Sequence, residues 1–198
     1  MNWETLLSFG DSITFGARSY LGYPEITGSI LESKLDKSWH VINHATNGFT
    51  TIDLVRSMNT ELNTYKNAYP SLITVMIGTN DVKSHVKRED FRIAYNQLII
   101  KLKLLAVNNN ILLLKIPRIT QKVFYPYNFS MNEEIFQFNT CIEELAAQHQ
   151  LRVYEIQFAD DDFFEGVHLN PKGCRTAATQ LADLILKDKG FESSSTVS

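Results

Sequence analysis

Five short apolar runs are spaced along the chain, each too short for an ordinary helix and each without strict alternation of apolar and polar residues. Runs of this kind are typical of strands that are covered on both faces of a sheet. The pattern therefore predicts five strands, at residues 5–10, 40–45, 72–78, 111–117 and 151–156.

Amphipathic stretches follow these runs, and most of them begin with a helix-start signal. The signals are Pro24, Thr50, the Ser130–Glu133 spacing of a capping box, and Asn170-Pro171 as an N-cap and first turn. A longer helix is predicted from apolar residues that recur at helical spacing between 91 and 105. Five helices are thus expected to alternate with five strands.

Strict alternation of strands and helices implies right-handed crossovers and a parallel sheet. The predicted fold class is therefore α/β, a three-layer α/β/α sandwich. A length of 198 residues fits one domain, which we expect to span 1–189. Residues 190–198 are rich in serine and poor in apolar side chains, so we expect a disordered tail there.

Composition and charge exclude several classes of partner. The chain has 19 basic and 22 acidic residues, a net charge of −3, and no dense basic cluster, which argues against nucleic acid as a partner. No apolar run approaches the roughly 20 residues of a membrane span. The start of the chain lacks the features of a signal peptide, so we expect a cytoplasmic location. Cys141 and Cys174 lack the spacing of a metal or redox site and are predicted to be buried thiols.

Candidate chemical groups follow four of the five predicted strands. In a parallel sheet the ligand site lies beyond the carboxyl ends of the strands, so these groups converge on one edge. Each of them, taken singly, is also an ordinary turn or structural residue. Together they supply a nucleophile, hydrogen-bond donors and a carboxylate–imidazole pair. They are Ser12 after the first strand, Gly48 after the second, Asn80 after the third, and Glu165 with His168 after the fifth.

The sequence around these residues resembles the SGNH hydrolases, also called the GDSL family. Four blocks match in order: Gly10-Asp11-Ser12, Gly48, Gly78-Thr79-Asn80-Asp81 and Glu165-x-x-His168. The resemblance covers nearly the whole chain. It implies a flavodoxin-like fold with sheet order 2-1-3-4-5, and hydrolysis of esters or thioesters through an acyl-enzyme.

Two positions depart from the family pattern. Glu165 stands where the family normally has aspartate, and Ala45 stands where it commonly has a second glycine. Triads on other folds use glutamate as the acid, so the longer side chain is compatible with the role. Asp162 is the alternative acid.

The resemblance and the chemistry of the side chains together predict a mechanism. Ser12 is the expected nucleophile, His168 the base that takes its proton, and Glu165 the group that orients the imidazole. The backbone N–H groups of Ser12 and Gly48 and the side-chain amide of Asn80 are the expected oxyanion hole.

The expected substrate is a small ester or thioester with a short acyl group. Phe124, Tyr125 and Tyr127 are candidates for a substrate-binding wall, although they could equally pack their loop onto the core. The segment 18–23 could form the opposite wall. We expect no cofactor and no metal, because the Asp160-Asp161-Asp162 run lacks the backbone-carbonyl pattern of a cation site.

Two alternatives remain open at this point. A flavodoxin-like sheet could bind a phosphorylated cofactor, but the first loop lacks a dense glycine and hydroxyl cradle. A catalytically silent carbohydrate- or protein-binding module is the other, since Glu165 replaces the usual aspartate. The sequence leaves the oligomeric state open.

Overall fold

A computed structural model describes residues 3–65 and 70–188 of the chain. Its five strands form one parallel sheet in the order β2-β1-β3-β4-β5. The strands are β1 Trp3–Gly10, β2 Ser38–Ala45, β3 Leu72–Met76, β4 Ile111–Leu114 and β5 Arg152–Tyr154. The predicted fold class and strand order are confirmed. The expected tail at 190–198 lies outside the described residues.

Seven α-helices are present in the described part of the chain, two more than the apolar pattern predicts. They are α1 Ser12–Phe15, α2 Tyr23–Leu35, α3 Thr51–Tyr65, α4 Thr79–Lys83, α5 Arg88–Leu102, α6 Asn132–His149 and α7 Pro171–Asp188. The additional helices are α1 and α4, which have four and five residues and follow β1 and β3 directly. Helices of this length do not complete an apolar repeat, so periodicity cannot reveal them.

Alternating strand residues contribute to two separate apolar layers. Leu7 and Phe9 of β1 lie with the buried faces of α3, α5 and α6, whereas Leu6 lies with α2 and α7. All three side chains are fully buried. Side chains alternate between the faces of a strand, so apolar residues at every position require cover on both faces. The helices supply that cover as two outer layers.

Two of the predicted helix starts have the expected caps. Thr50 and Asp53 form a reciprocal pair at the start of α3, in which Thr50 N–H donates to Asp53 Oδ2 at 3.1 Å. Asn170 Oδ1 accepts hydrogen bonds from the N–H groups of Lys172 (2.9 Å) and Gly173 (3.0 Å) at the start of α7. These side chains satisfy donors that have no partner within the helix.

The predicted Ser130–Glu133 capping box is wrong. Ser130 Oγ bonds to Asn128 Oδ1 at 2.5 Å, and α6 begins at Asn132 after a short 3₁₀ turn. The Asn132 side chain bonds both the N–H and the C=O of Ile119, each at 2.8 Å. A contact with a distant loop therefore fixes the start of α6, which the local pattern could not indicate.

The two cysteines lie in helices on opposite faces of the sheet. Cys141 belongs to α6 and Cys174 to α7, and both are buried and free of disulfide bonds. Their separation by the sheet rules out a bond between them. The prediction of buried thiols is confirmed.

Candidate active site

A sharp turn from β1 into α1 places Ser12 at the carboxyl edge of the sheet. Asp11 caps the short helix, since its Oδ1 accepts a hydrogen bond from Ile13 N–H at 2.9 Å. Gly10 permits the turn, because a Cβ at this position would lie 2.5 Å from the carbonyl oxygen of Met76 on β3. The sequence Gly-Asp-Ser thus sets the position of the Ser12 hydroxyl.

The Ser12 hydroxyl, the His168 imidazole and the Glu165 carboxylate form a continuous chain of contacts. Ser12 Oγ lies 3.0 Å from His168 Nε2, and His168 Nδ1 contacts Glu165 Oε1. The side chains of His168 and Glu165 are only 19% and 13% exposed, which shields their contact from water. A hydroxyl, a base and an orienting carboxylate in this order have the geometry needed to activate the hydroxyl as a nucleophile.

A tight loop carries both the carboxylate and the imidazole. Phe164 N–H donates to the carbonyl of His168 at 2.9 Å, and an isolated antiparallel bridge closes the base of the loop. Gly166 lies at its tip with φ +87°, and a Cβ there would be 2.8 Å from Thr120 Oγ1. Thr120 N–H also donates to the carbonyl of Gly166 at 2.9 Å. These contacts hold Glu165 and His168 in fixed relation.

A second pair of contacts ties this loop to the segment after α1. Arg18 Nη1 lies 3.1 Å from Glu165 Oε2 as an ion pair, and Ser19 Oγ donates to the carbonyl of Leu169 at 3.2 Å. Arg18 has a left-handed backbone with φ +68°. In the sequence analysis this segment was assigned to a wall of the substrate site, and its contact with Glu165 was missed. No local sequence pattern indicates a contact between distant loops.

The alternative acid, Asp162, bonds to groups other than the imidazole. Its Oδ2 accepts a hydrogen bond from Ala159 N–H at 2.9 Å, and its Oδ1 accepts one from Thr176 Oγ1 at 3.2 Å. The side chain is 2% exposed and supports the start of α7. The carboxylate that the fold brings to His168 Nδ1 is that of Glu165.

Three potential donors face the same edge. Asn80, on α4, is 2% exposed and donates one amide hydrogen to the carbonyl of Phe49 at 3.0 Å. Gly48 has φ +83°, and a Cβ built there meets no atom within 4 Å, so open space adjoins it. Among the described residues, the backbone N–H groups of Ser12 and Gly48 donate no hydrogen bond. Both remain available to a ligand.

Two buried carboxylates lie beneath the site. Burial raises the pKa of Asp11 to about 7, and the nearby negative charge of Asp81 raises it further, against hydrogen bonds that lower it. Burial also raises the pKa of Asp81 to about 6. Asp81 Oδ2 accepts hydrogen bonds from the N–H (2.9 Å) and hydroxyl (3.2 Å) of Thr51, which joins α4 to the start of α3.

We expect Asp11 to make the protein less stable at alkaline pH. Its folded-state pKa of about 7 exceeds 3.8, the ordinary pKa of an aspartate side chain, so the folded protein binds the proton more tightly. This contribution to stability is complete below about pH 4 and is lost as the pH rises through 7. Between pH 5 and 8 the loss amounts to about 3 kcal/mol. Urea unfolding of the wild type and of Asp11→Asn at both pH values tests this, and equal losses in the two proteins would contradict it.

The three aromatic residues of the predicted wall differ in exposure. Phe124 is 61% exposed and Tyr125 is 90% exposed. Tyr127 is half-buried, and its hydroxyl donates to Asn80 Oδ1 at 3.3 Å. Of the three, Tyr127 is the one that contacts a candidate catalytic group.

The acidic run at 160–162 is engaged with basic side chains. Asp160 pairs with Arg118 at 2.5 Å, and Asp161 pairs with Lys172 at 2.6 Å. Within the residues that the structure describes, no group of three or more histidine, cysteine or acidic side chains is arranged to hold a metal ion. No helix in the same residues is long and apolar enough to cross a membrane.

A parallel sheet in the order 2-1-3-4-5, with serine, histidine and an acid at its carboxyl edge, defines the SGNH class of hydrolases. The chain belongs to the GDSL-like Lipase/Acylhydrolase family, whose model matches residues 8–176. It is a carboxylic ester hydrolase. A search of curated proteins found no match.

Solved structures with the same fold include several hydrolases. The lipase/acylhydrolase from Enterococcus faecalis has a TM-score of 0.75 at 19% identity, with 94% of this chain and 96% of that chain covered. Axe2, an acetylxylan esterase from Geobacillus stearothermophilus, has a TM-score of 0.68 at 20% identity, with 96% and 95% covered. LAE5, an alpha/beta hydrolase enzyme from the metagenome of Lake Arreo, Spain, has a TM-score of 0.73 at 17% identity, with 96% and 97% covered. These similarities extend over nearly the full length of each chain and support the fold.

Proposed function

We propose that the protein cleaves short-chain acyl esters or thioesters through an acyl-enzyme formed on Ser12. The observation that carries the proposal is the 3.0 Å contact between Ser12 Oγ and His168 Nε2, with Glu165 on the other side of the imidazole. A serine hydroxyl is a weak nucleophile without an adjacent base, and this contact supplies one.

In the proposed mechanism, Ser12 Oγ attacks the carbonyl carbon while His168 Nε2 accepts the hydroxyl proton. Glu165 holds Nδ1 as the protonated nitrogen and stabilises the imidazolium that forms. The tetrahedral intermediate then collapses, and His168 returns the proton to the leaving alcohol or thiol. Water, activated by the same imidazole, attacks the acyl-enzyme and releases the acid.

The negative charge of the tetrahedral intermediate needs hydrogen-bond donors. The N–H groups of Ser12 and Gly48 have no partner among the described residues, and one amide hydrogen of Asn80 remains after its bond to Phe49. Donors held in place before the reaction stabilise developing charge without reorganisation. We assign the oxyanion hole to these three groups.

The preference for a short acyl group is supported by one of the proteins with a similar fold. Axe2, one of the similar structures, is by name an esterase for an acetylated substrate, which agrees with this preference.

Covalent labelling tests the proposed nucleophile. Intact-mass spectrometry after exposure to a fluorophosphonate is expected to detect one adduct on the wild type and none on Ser12→Ala. In parallel, the wild type is expected to have a higher kcat/KM for p-nitrophenyl acetate than for p-nitrophenyl octanoate, as the proposed preference for a short acyl group requires. Absence of both labelling and turnover would contradict the hydrolase proposal. A preference for octanoate would contradict only the acyl-length assignment.

A further inference from the structure

Tyr127 lies where a substrate wall was expected, but its polar end is turned to the candidate oxyanion hole. Its hydroxyl is 3.3 Å from Asn80 Oδ1. The ring is half-buried against the apolar layer beneath it, and Lys83 Nζ lies 5.9 Å from the ring centroid. The hydroxyl is therefore held by packing of the ring as well as by its own hydrogen bond.

The contacts of Asn80 determine which way its amide is oriented. The carbonyl oxygen of Phe49 can only accept, so the nitrogen of the Asn80 amide must face it, at 3.0 Å. Oδ1 is then the atom that faces Tyr127, and the tyrosine hydroxyl must act as the donor. With the other orientation, two acceptor oxygens would face each other at Phe49.

The tyrosine hydroxyl retains its proton over the working range of a serine hydrolase. Burial raises the pKa of Tyr127 to about 12, and the negative charges of Asp11 and Glu165 act in the same direction. A neutral hydroxyl can donate to Oδ1 at every pH at which the protein is folded and active. The orientation of the Asn80 amide is therefore held from both ends.

We propose that Tyr127 is a positioning residue, which holds the Asn80 amide with a free N–H directed at the oxyanion of the proposed reaction. The inference rests on the proposed function, since it assigns Tyr127 to the same oxyanion hole. As charge develops on the substrate oxygen, the amide polarises, and the tyrosine hydroxyl stabilises the increased negative charge on Oδ1. This stabilisation arises in the transition state and not on substrate binding, so it raises kcat and leaves KM nearly unchanged.

The test is a double-mutant cycle between Tyr127→Phe and Asn80→Ala, measured with p-nitrophenyl acetate. Tyr127→Phe removes one oxygen atom and is expected to lower kcat about tenfold with little change in KM. In the Asn80→Ala background, the same substitution is expected to have no further effect, because its target is gone. Tyr154→Phe is the matched control and should retain wild-type kinetics, because it also removes one tyrosine hydroxyl but one that contacts Gln180 of α7.

The outcomes separate this role from that of a substrate wall. A wall residue would change KM, and its substitution would have the same effect whether or not Asn80 is present. Either result would overturn the inference, as would wild-type kcat in Tyr127→Phe. If Ser12→Ala is inactive while the cycle is additive, the positioning role fails alone. If Ser12→Ala retains activity, the proposed function itself fails.

Discussion

Replacement of Ser12 with alanine is expected to lower kcat for p-nitrophenyl acetate by a factor on the order of 10⁶. The substitution removes the oxygen atom that lies 3.0 Å from His168 Nε2 and leaves the protein no nucleophile to acylate. His168→Ala should have an effect of similar size, because the hydroxyl then has no base. The two losses should not add, since serine and histidine act as one unit.

Matched controls are available for both variants. Ser33 is an exposed serine in α2, and His40 is an exposed histidine in β2. Ser33→Ala and His40→Ala should keep wild-type kinetics. Activity assays with each purified variant measure the loss of turnover. Thermal unfolding of the same variant shows whether it is still folded. Wild-type turnover by folded Ser12→Ala would remove the basis of the proposed mechanism.

The second large effect is expected when Glu165, the proposed acid, is replaced. Glu165→Gln should lower kcat by about 10⁴, because the neutral amide neither fixes the imidazole tautomer nor stabilises the imidazolium. Asp162→Asn is the matched comparison. Its carboxylate bonds to Ala159 and Thr176 instead of the imidazole, so the variant should lose stability while its kcat stays near that of the wild type.

Steady-state kinetics and thermal unfolding of these two variants give opposite patterns if Glu165 is the acid. The first should be inactive and stable, and the second should be active and less stable. The reverse pattern, with an active Glu165→Gln and an inactive Asp162→Asn, would transfer the role of acid to Asp162.

The sheet could be predicted from sequence because its strands are apolar on both faces. Leu112 and Leu113 of β4, for example, are both buried although they face opposite layers. Such a run leaves few alternatives to a strand between helices. The exact ends are less determined: the run at 72–78 yields a strand that stops at Met76, since the next residues turn into α4.

The positions of the candidate site residues follow from the same reasoning, because a parallel sheet gathers its strand ends at one edge. The contacts between loops do not follow from this reasoning. Arg18 reaches Glu165 from a segment without periodic pattern, and Tyr127 reaches Asn80 from another. The course of each loop depends on packing and on backbone conformations such as the left-handed one of Arg18. Neither can be read from the composition of the loop.

The placement of Ser12 in the first helix and of His168 just before the last has a consequence for how the enzyme is made. The two side chains are 156 residues apart in the chain, and α7 packs against α2 beside them. A growing polypeptide on the ribosome presents the proposed nucleophile early but lacks the proposed base until nearly all of the domain has emerged. The appearance of esterase activity during synthesis or refolding is therefore expected to report the docking of the final segment.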